Sequence, residues 1–275
     1  MDHWWINGQP GTSISIADRG LMYGDGLFET IAVRDSHPRF IEFHLDRLLL
    51  GCQRLQIAPP TRAVLHRNLL SAAATVRHGV LKVVLTRGPG PRGYALPETS
   101  EPTVAWGLAE TLAVRSAAIT VRWCETMASV NPATAGLKTL GRLDQVLARA
   151  EWSGQAVTEG LMRDANCRLI GGTASNVFLV RDGQLLTPAV TSAGIAGVMR
   201  RVILEQARSH GLSAHEADLE PADIRSAAEV FVTNALTGIR PVHRLDEQIW
   251  NTGPVTQRLG KLLAAAGVEE CAAGY

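Results

Sequence analysis

The 275-residue chain has no long apolar segment and no cluster of basic residues of the kind that marks membrane, secreted or nucleic-acid-binding proteins. Its apolar runs are short and are broken by arginine or glycine, so no membrane-spanning helix is expected. Its 27 basic and 26 acidic residues are scattered, and the absence of a basic stripe argues against nucleic-acid binding. The first residues lack the charged segment and long apolar stretch of a signal peptide, so no secretion signal is expected.

Cysteine is also scarce, and its spacing argues against the common cysteine chemistries. The four cysteines stand far apart and form neither a CxxC pair nor a Cys/His cluster. We therefore expect reduced, mostly buried thiols rather than disulfides or a zinc site, which makes the cytoplasm the consistent compartment. These residues are Cys52, Cys124, Cys167 and Cys271.

What the chain does have is the composition of a folded enzyme. Hydrophobic residues make up 46% and charged residues 19%, which is typical of a globular protein with a substantial core. The length allows one large or two modest domains. We predict an N-terminal domain over residues 1–112 and a C-terminal domain over residues 117–275, with the chain crossing between them near residues 111–116.

In the first domain, short strand-like runs alternate with two helices. Asn7-Gly8 predicts a tight turn, and the turn residues at 35–38 predict a hairpin. Thr61 is a suitable N-cap for the second helix, and the Gly- and Pro-rich segment 87–94 is predicted to be a loop. The predicted strands cover 4–7, 27–33, 39–41, 80–86 and 103–108, and the predicted helices cover 42–55 and 61–76.

The second domain also mixes the two kinds of element. Asp182-Gly183 indicates a hairpin, and Gly211 is a good helix C-cap. Many short antiparallel hairpins beside helices predict an α+β fold with mixed sheets, not a doubly wound parallel sheet. The predicted helices cover 139–152, 194–210 and 255–266, and the predicted strands cover 118–124, several short runs within 159–186, and 229–233.

Some segments have features of ligand-binding sites, although each also has a plainer interpretation. Gly194-Ile195-Ala196-Gly197 opens a predicted helix, whose N–H groups and positive dipole end favour anions, but most helix starts bind only water. The small residues of 171–176 permit close backbone approach to a ligand, or simply lead into a strand. Lys138 and Arg47 lie opposite the apolar stripes of their helices, so the pattern alone predicts solvated side chains.

Six segments, taken in order and spacing over nearly the whole chain, resemble the fold-type IV enzymes that depend on pyridoxal 5'-phosphate (PLP). This group contains the branched-chain aminotransferases, the D-amino-acid aminotransferases and the 4-amino-4-deoxychorismate lyases. The resemblance implies a two-domain α+β fold, a C-terminal domain that carries most of the PLP site, and a homodimer. The segments are 23–30, 44–48, 137–140, 172–178, 194–200 and 232–242.

The resemblance assigns roles to individual residues. It identifies Lys138 as the lysine that carries PLP, because a primary amine can bond to the cofactor's aldehyde and then move a substrate proton. It identifies Arg47 as a ligand of the PLP phosphate, a role that suits a guanidinium fork. Further phosphate contacts are implied for the backbone at Ile195 and Ala196 and at the turn of Asn234 and Ala235.

Within this group the chain most resembles the 4-amino-4-deoxychorismate lyases, on segments 52–55, 87–94 and 137–146. Such enzymes split 4-amino-4-deoxychorismate into 4-aminobenzoate and pyruvate, a step of folate synthesis. The substrate carries two carboxylates, so cationic groups are expected near the pocket. Arg92, with Tyr94 beside it, is the candidate substrate ligand; the alternative is an arginine on the surface of a loop.

One position departs from the aminotransferase pattern. The aminotransferases place a glutamate beside the pyridine nitrogen of PLP, where this chain has Gly171. Without that carboxylate the ring is a weaker electron sink, which should harm transamination more than an elimination that forms an aromatic product. Gly171 therefore favours a lyase, and Thr173 is a candidate for a neutral hydrogen bond to the cofactor.

In the resulting mechanism, Lys138 removes the proton from C4 of the substrate. Lys138 or a nearby hydroxyl, with Thr30 as the candidate, then protonates the departing enolpyruvyl group. Two alternatives remain from the sequence. One is a D-amino-acid or branched-chain aminotransferase of the same fold, and the other is a PLP-binding relative without catalytic activity.

Overall fold

The computed structural model describes residues 3–111, 117–154 and 156–272, and the chain divides into two compact units. The first unit is Met1–Ala113 with Leu137–Gly141, and the second is Val114–Gly136 with Arg142–Tyr275. Leu137–Gly141, which carries Lys138, thus belongs to the first unit, whereas the sequence boundary placed it in the second domain. Of the crossing predicted at 111–116, residues 112–116 lie outside the described residues.

The first unit is built on a six-stranded antiparallel sheet with the order β2-β1-β6-β5-β3-β4. Three helices accompany it, α1 (Arg19–Tyr23), α2 (Ile41–Leu55) and α3 (Arg62–Ala73). The strands are β1 (His3–Ile6), β2 (Gln9–Pro10), β3 (Gly26–Arg34), β4 (His37–Pro38), β5 (His78–Thr86) and β6 (Thr103–Glu110).

Alternation along β3 and β5 gives this sheet one buried face. Leu27 and Ile31 of β3 are buried together with Leu45 and Leu48 of α2, at exposures of 2% or less. Burying each such leucine or isoleucine contributes about 2 kcal/mol. The opposite face of the same strands is only half-buried and carries Phe28, among other residues. The predicted apolar stripe of α2 is therefore confirmed.

Two local predictions for this unit have different outcomes. Thr61 is the N-cap of α3, as predicted, and its Oγ1 accepts a hydrogen bond from the Val64 N–H. The predicted strand at 39–41 is wrong. Asp35 and Ser36 form a two-residue turn with φ of 46° and 62°, so the returning strand already begins at His37 and α2 begins at Ile41.

The segment 137–140 is held along β3 by backbone hydrogen bonds. The Phe28 N–H donates to the Lys138 carbonyl at 2.9 Å, and the Leu140 N–H donates to the Gly26 carbonyl at 3.0 Å. Because the backbone at Thr139 is extended in this pairing, the helix predicted from residue 139 cannot begin there. It begins four residues later, as α4 (Leu143–Ala150).

The second unit is built on a nine-stranded mixed sheet with the order β12-β11-β10-β13-β14-β7-β8-β9, and β15 pairs with β14. Three pairings are parallel, β14 with β7, β7 with β8 and β11 with β12. The predicted α+β class is therefore confirmed. The strands are β7 (Ile119–Trp123), β8 (Glu159–Arg163), β9 (Leu169–Gly172), β10 (Asn176–Arg181), β11 (Gln184–Pro188), β12 (Ala214–Ala217), β13 (Glu229–Asn234), β14 (Gly238–Leu245) and β15 (Gln248–Ile249).

Helices α4, α5 (Val198–Ser209), α6 (Pro221–Ser226) and α7 (Pro254–Ala265) complete this unit, with a 3₁₀ turn at Glu269–Cys271. The start predicted for α5 at Gly194 is wrong by four residues. Gly194 accepts a hydrogen bond from the Gly136 N–H, and the Ala196 N–H donates to the Gly136 carbonyl, both at 3.0 Å. This pairing keeps the residues around Ile195 out of the helix. Among the described residues, no helix is long and apolar enough to cross a membrane.

We predict that Gly26 is needed to seat the segment that carries Lys138. A Cβ at this position would lie 2.5 Å from the Leu85 carbonyl oxygen and 2.9 Å from Leu140 Cδ1. Gly26→Ala should therefore lower the free energy of unfolding by about 1–3 kcal/mol in urea titrations, through overpacking. Gly141→Ala is the control, because no atom lies within 4 Å of its Cβ position. Equal stability of the two variants would contradict this account.

Candidate active site

Lys138 lies at the edge of the first unit's sheet, beside Phe28. Its Nζ is 4.2 Å from the centre of the Phe28 ring. The backbone pairing with β3 fixes the lysine at this position, so the side chain leaves a strand edge and not a helix surface. The solvated lysine that periodicity alone predicts is therefore not what the fold produces.

Arg47 is held by a buried carboxylate. Its Nε donates to Glu29 Oε1 at 2.7 Å and its Nη2 donates to Glu29 Oε2 at 2.5 Å. His44, one turn earlier on the same face of α2, places its Nδ1 2.7 Å from Glu29 Oε2. Glu29 and His44 are each 1% exposed. The sequence pattern predicted a solvated Arg47, but the structure gives it a partner 18 residues away in the chain.

Charge decides the protonation of this cluster. Burial alone would raise the pKa of Glu29, but the Arg47 charge and the hydrogen bonds from His44 and Arg47 hold that pKa at about 2. Burial lowers the pKa of His44 and, with the charges of Arg47 and Lys138, outweighs the hydrogen bond and charge of Glu29, which act to raise it. Glu29 is therefore a permanent carboxylate near neutral pH, and a neutral His44 donates its Nδ1–H to it.

Lys82 is a site residue that the sequence analysis missed. It lies in the middle of β5, directly opposite Thr30 of β3 in the strand register. Its Nζ is 3.5 Å from the centre of the same Phe28 ring that Lys138 contacts. Desolvation lowers the pKa of Lys82 to about 8, although the charge of Glu29 opposes this shift. A lone lysine within the apolar run 80–85 was the signal that could have identified it.

The loop that carries Arg92 and Tyr94 is fixed through Asp25. The Asp25 carboxylate accepts hydrogen bonds from Arg19 Nε at 3.0 Å and from Arg87 Nε at 2.7 Å. Burial alone would raise the pKa of Asp25, but the two guanidinium groups outweigh it and hold that pKa below its ordinary value. Arg19 Nη1 also donates to the Gly93 carbonyl at 2.9 Å, which ties the loop to this cluster.

Arg92 and Tyr94 themselves are exposed. The Tyr94 side chain is 86% exposed and meets the ring of Tyr23 edge-on, at 5.4 Å between ring centres. Arg92 is likewise exposed. Their role as substrate ligands therefore stays a prediction.

In the second unit, Thr173 belongs to a tight loop organised by the carboxylate of Glu159. The Thr173 hydroxyl donates to Glu159 Oε1 at 2.5 Å, and the Ser175 hydroxyl donates to Glu159 Oε2 at 2.8 Å. Backbone N–H groups of Gly160 and Thr173 also donate to this carboxylate, at 2.9 and 3.0 Å. Gly171 lies next to this loop on β9, where it pairs with Met162.

The predicted phosphate contacts of this unit need one correction. The Ala196 N–H already donates to the Gly136 carbonyl at 3.0 Å, so it is not a spare donor at a helix start. The N–H groups without an intrahelical acceptor belong to the first turn of α5, after Gly197. Ile195 lies in the segment before it, and its carbonyl accepts a hydrogen bond from Asn176 Nδ2 at 2.8 Å.

Asn234 and Ala235 form a turn between β13 and β14. Asn234 Oδ1 accepts hydrogen bonds from the Leu236 and Thr237 N–H groups at 3.0 and 2.9 Å. The Asn234 side-chain oxygen therefore shapes the turn, and the phosphate contact of Asn234 and Ala235 stays a prediction. Each unit thus contains groups of the kind that PLP requires. The first unit has a lysine amine and an arginine that is hydrogen-bonded to a buried carboxylate. The second unit has turns of small residues and the N-terminus of a helix.

These groups, each described within its own unit, are of the kind that lysine-based PLP enzymes use. Residues 26–245 match the family model of the class IV aminotransferases, and the chain belongs to this PLP-dependent family. The predicted cofactor and enzyme class are thereby confirmed.

Relatives within the family have more than one activity. The crystal structure of 4-amino-4-deoxychorismate lyase from Pseudomonas aeruginosa superposes with a TM-score of 0.89 at 43% identity, covering 95% of this chain and 98% of that one. An aminodeoxychorismate lyase from Vibrio harveyi is 33% identical, over 87% of this chain and 90% of the relative. A putative branched-chain-amino-acid aminotransferase from Methanocaldococcus jannaschii is 29% identical, over 93% of each.

We predict that Glu29 makes stability pH-dependent in the acid range. Its pKa is about 2 in the folded protein against an ordinary 4.5. A depressed carboxyl pKa stabilises the fold fully above the unfolded-state value, and this contribution is lost as the pH falls toward 2. The free energy of unfolding should therefore fall by about 2 kcal/mol between pH 6 and pH 3 from this residue alone.

Urea titrations of the Glu29→Gln variant check this prediction. The variant should be less stable at pH 6, because Arg47 loses its buried counter-ion, but its stability should change less between pH 6 and pH 3. Glu98→Gln, at an exposed loop position, is the control and should keep the wild-type slope. An unchanged slope in Glu29→Gln would show that Glu29 is not the titrating group.

Proposed function

We propose that this enzyme is a 4-amino-4-deoxychorismate lyase that releases pyruvate and forms 4-aminobenzoate for folate synthesis. The observation that carries the proposal is the lack of a carboxylate at Gly171. The carboxylate of Glu159, at the start of β8, is occupied by hydroxyl and backbone donors of the neighbouring loop and of Gly160. The two relatives at 43% and 33% identity that are named as lyases support the same reaction.

The first unit provides the groups that hold and move protons in this proposal. The Lys138 amine carries the cofactor and, once released, removes the proton at C4 of the substrate. PLP supplies an electron sink next to that carbon when it is bound. Arg47 is the proposed ligand of the cofactor phosphate, and Glu29 orients its guanidinium through two hydrogen bonds.

Thr173 is the proposed partner of the pyridine nitrogen. Its hydroxyl proton points to Glu159 Oε1, at 2.5 Å between the oxygens, so Thr173 can accept a further hydrogen bond but cannot donate one. A neutral acceptor holds a protonated pyridine nitrogen less strongly than a carboxylate does. This arrangement suits an elimination whose aromatic product supplies driving force, and it suits transamination less well.

The alternative is an aminotransferase of the same family. It is favoured by the M. jannaschii relative and by a D-alanine aminotransferase from Listeria innocua that is 26% identical over 94% of this chain. Amino exchange between D-alanine or leucine and 2-oxoglutarate at ordinary aminotransferase rates would establish this alternative. The third possibility, a relative without catalytic activity, requires that neither reaction occurs.

We also propose that the enzyme is a homodimer in the cytoplasm. Three side chains spaced as a stripe on α4 are exposed, Leu143 by 75%, Val146 by 60% and Leu147 by 59%. An apolar stripe of this kind suits burial against a second copy of the chain. The cytoplasm is supported by the absence of disulfides among the described residues, since all four cysteines are free.

The homodimer is tested by Leu147→Asp. A charge in the centre of the α4 stripe should shift the mass measured by sedimentation equilibrium from dimer toward monomer. Leu50→Asp, at a 52% exposed leucine of α2, is the control and should leave the mass unchanged. A monomeric wild-type enzyme, or a fully dimeric Leu147→Asp, would contradict the proposed interface.

The reaction is tested on wild type and Lys138→Ala. Wild-type enzyme should convert 4-amino-4-deoxychorismate to equimolar 4-aminobenzoate and pyruvate, and borohydride reduction should attach PLP to the peptide that contains Lys138. Lys138→Ala should lose covalent PLP and turnover together, whereas Arg47→Ala should chiefly raise the dissociation constant of PLP. PLP fixed at another residue, or active amino exchange without pyruvate release, would overturn the proposal.

A further inference from the structure

The chain uses lysine very sparingly. Among its 27 basic residues 24 are arginine and only three are lysine, namely Lys82, Lys138 and Lys261. Lys261 is exposed on α7. The other two place their ammonium nitrogens on one aromatic ring, 3.5 and 4.2 Å from the centre of Phe28. Two of three lysines at one ring indicate that this place needs an amine, because apart from Lys261 the chain otherwise uses arginine for positive charge.

Lys82 has no structural task that accounts for it. Among the described residues it has no hydrogen bond and no carboxylate within ion-pair distance, and its close contact is the face of Phe28. Glu29 on the neighbouring strand acts on it only through charge. Its register partner on the other side, in β6, is Gly107, which has no side chain to pair with. A half-buried cation without a partner is costly to the fold.

What separates lysine from arginine here is the ability to give up a proton. An arginine stays charged at any physiological pH, so it serves as a fixed charge. Burial brings the pKa of Lys82 to about 8, where an ammonium is charged at rest and still a competent acid. The charged group that acts on it is Glu29 of β3, while Lys138, on the segment paired with β3, contacts the same Phe28 ring.

We propose that the Lys82 ammonium is the acid that protonates the departing enolpyruvyl oxygen. The inference rests on the proposed lyase function. As Lys138 takes the proton from C4, the bond between C3 and the ether oxygen breaks and its electron pair goes to oxygen. Lys82 gives that oxygen a proton, which releases enolpyruvate, and this tautomerises to pyruvate. Solvent then returns a proton to Lys82 and takes one from Lys138, so the cycle closes without a further reactant.

Lys82 thereby takes the role for which the sequence offered Thr30. Thr30 lies directly across from it in the sheet, so both side chains are presented on the same half-buried face. A threonine hydroxyl is a far weaker acid than an ammonium group, which makes it the less effective donor to a leaving oxygen.

The test compares Lys82→Arg and Lys82→Met with the wild-type holoenzyme. Lys82→Arg keeps the positive charge but cannot release a proton, so its kcat should fall by about 10²–10⁴-fold with KM changed only a few-fold. The wild-type rate should decline above pH 8, and this decline should be absent from the residual rate of Lys82→Arg. Lys82→Met should lose the same proton transfer and also bind substrate less tightly. Lys261→Met is the matched control, with wild-type kinetics.

Two kinetic outcomes would overturn the inference. If Lys82→Arg retained the full kcat, Lys82 would be only an electrostatic anchor for the substrate. If Thr30→Val instead lost the rate and the decline above pH 8 stayed in Lys82→Arg, the hydroxyl would be the donor. Each result distinguishes a proton donor from a residue that merely supports the fold.

A measurement independent of turnover completes the test. Because the chain has three lysines, acetylation rates as a function of pH can be assigned to each by peptide mass. In the holoenzyme Lys82 should gain reactivity around pH 8, well before Lys261, and titration together with Lys261 would overturn the inference. A wild-type enzyme that forms no 4-aminobenzoate would refute the proposed function itself, a failure distinct from an active enzyme in which Lys82→Arg is fully functional.

Discussion

The first unit's part of the site depends on one strand pairing, between residues 137–140 and the edge of β3. Two backbone hydrogen bonds, from Phe28 to Lys138 and from Leu140 to Gly26, hold this segment. They convert a lysine near a predicted helix start into a half-buried lysine at a sheet edge, where its amine contacts an aromatic ring. Because a strand and a helix cannot share residues, the same pairing delays α4 to Leu143. A contact between segments more than a hundred positions apart thus sets both the site and the local structure around it.

A second constraint is the buried negative charge of Glu29, between the sheet and helix α2. Glu29 points to the helix layer, where it accepts hydrogen bonds from Arg47 and His44. An isolated buried carboxylate would take up a proton, but the guanidinium keeps its pKa at about 2. The pair therefore fixes the guanidinium of Arg47 in direction as well as in charge. In the proposed role of Arg47 as a phosphate ligand, a guanidinium held this rigidly would lose little side-chain entropy on binding, which is the advantage of a preorganised site.

The sequence was most informative where local patterns determine structure. The apolar stripe predicted α2, Thr61 predicted the start of α3, and alternating short runs predicted the α+β class. The sequence was least informative where hydrogen bonds to a segment distant in the chain determine the local structure, as they do at the starts of α4 and α5. The side chain of Arg47 is a further example. Its position opposite the apolar stripe predicted exposure to solvent, because only the folded sheet brings Glu29 next to it. Lys82 was missed because a single charge in a strand has no periodicity.

Arginine and lysine divide the work in the first unit according to their chemistry. Arg47 is permanently charged and permanently paired, whereas Lys82 and Lys138 share a ring and can change protonation. One carboxylate, Glu29, binds Arg47 and acts on Lys82 through its charge, so these two cations share a single negative charge, which favours an anionic ligand nearby. A bound anion would in turn favour the charged form of each amine and raise its pKa. Ligand binding and amine protonation are therefore coupled here. A bound substrate with two carboxylates would favour the charged ammonium form of a neighbouring lysine, which is the form that can donate a proton.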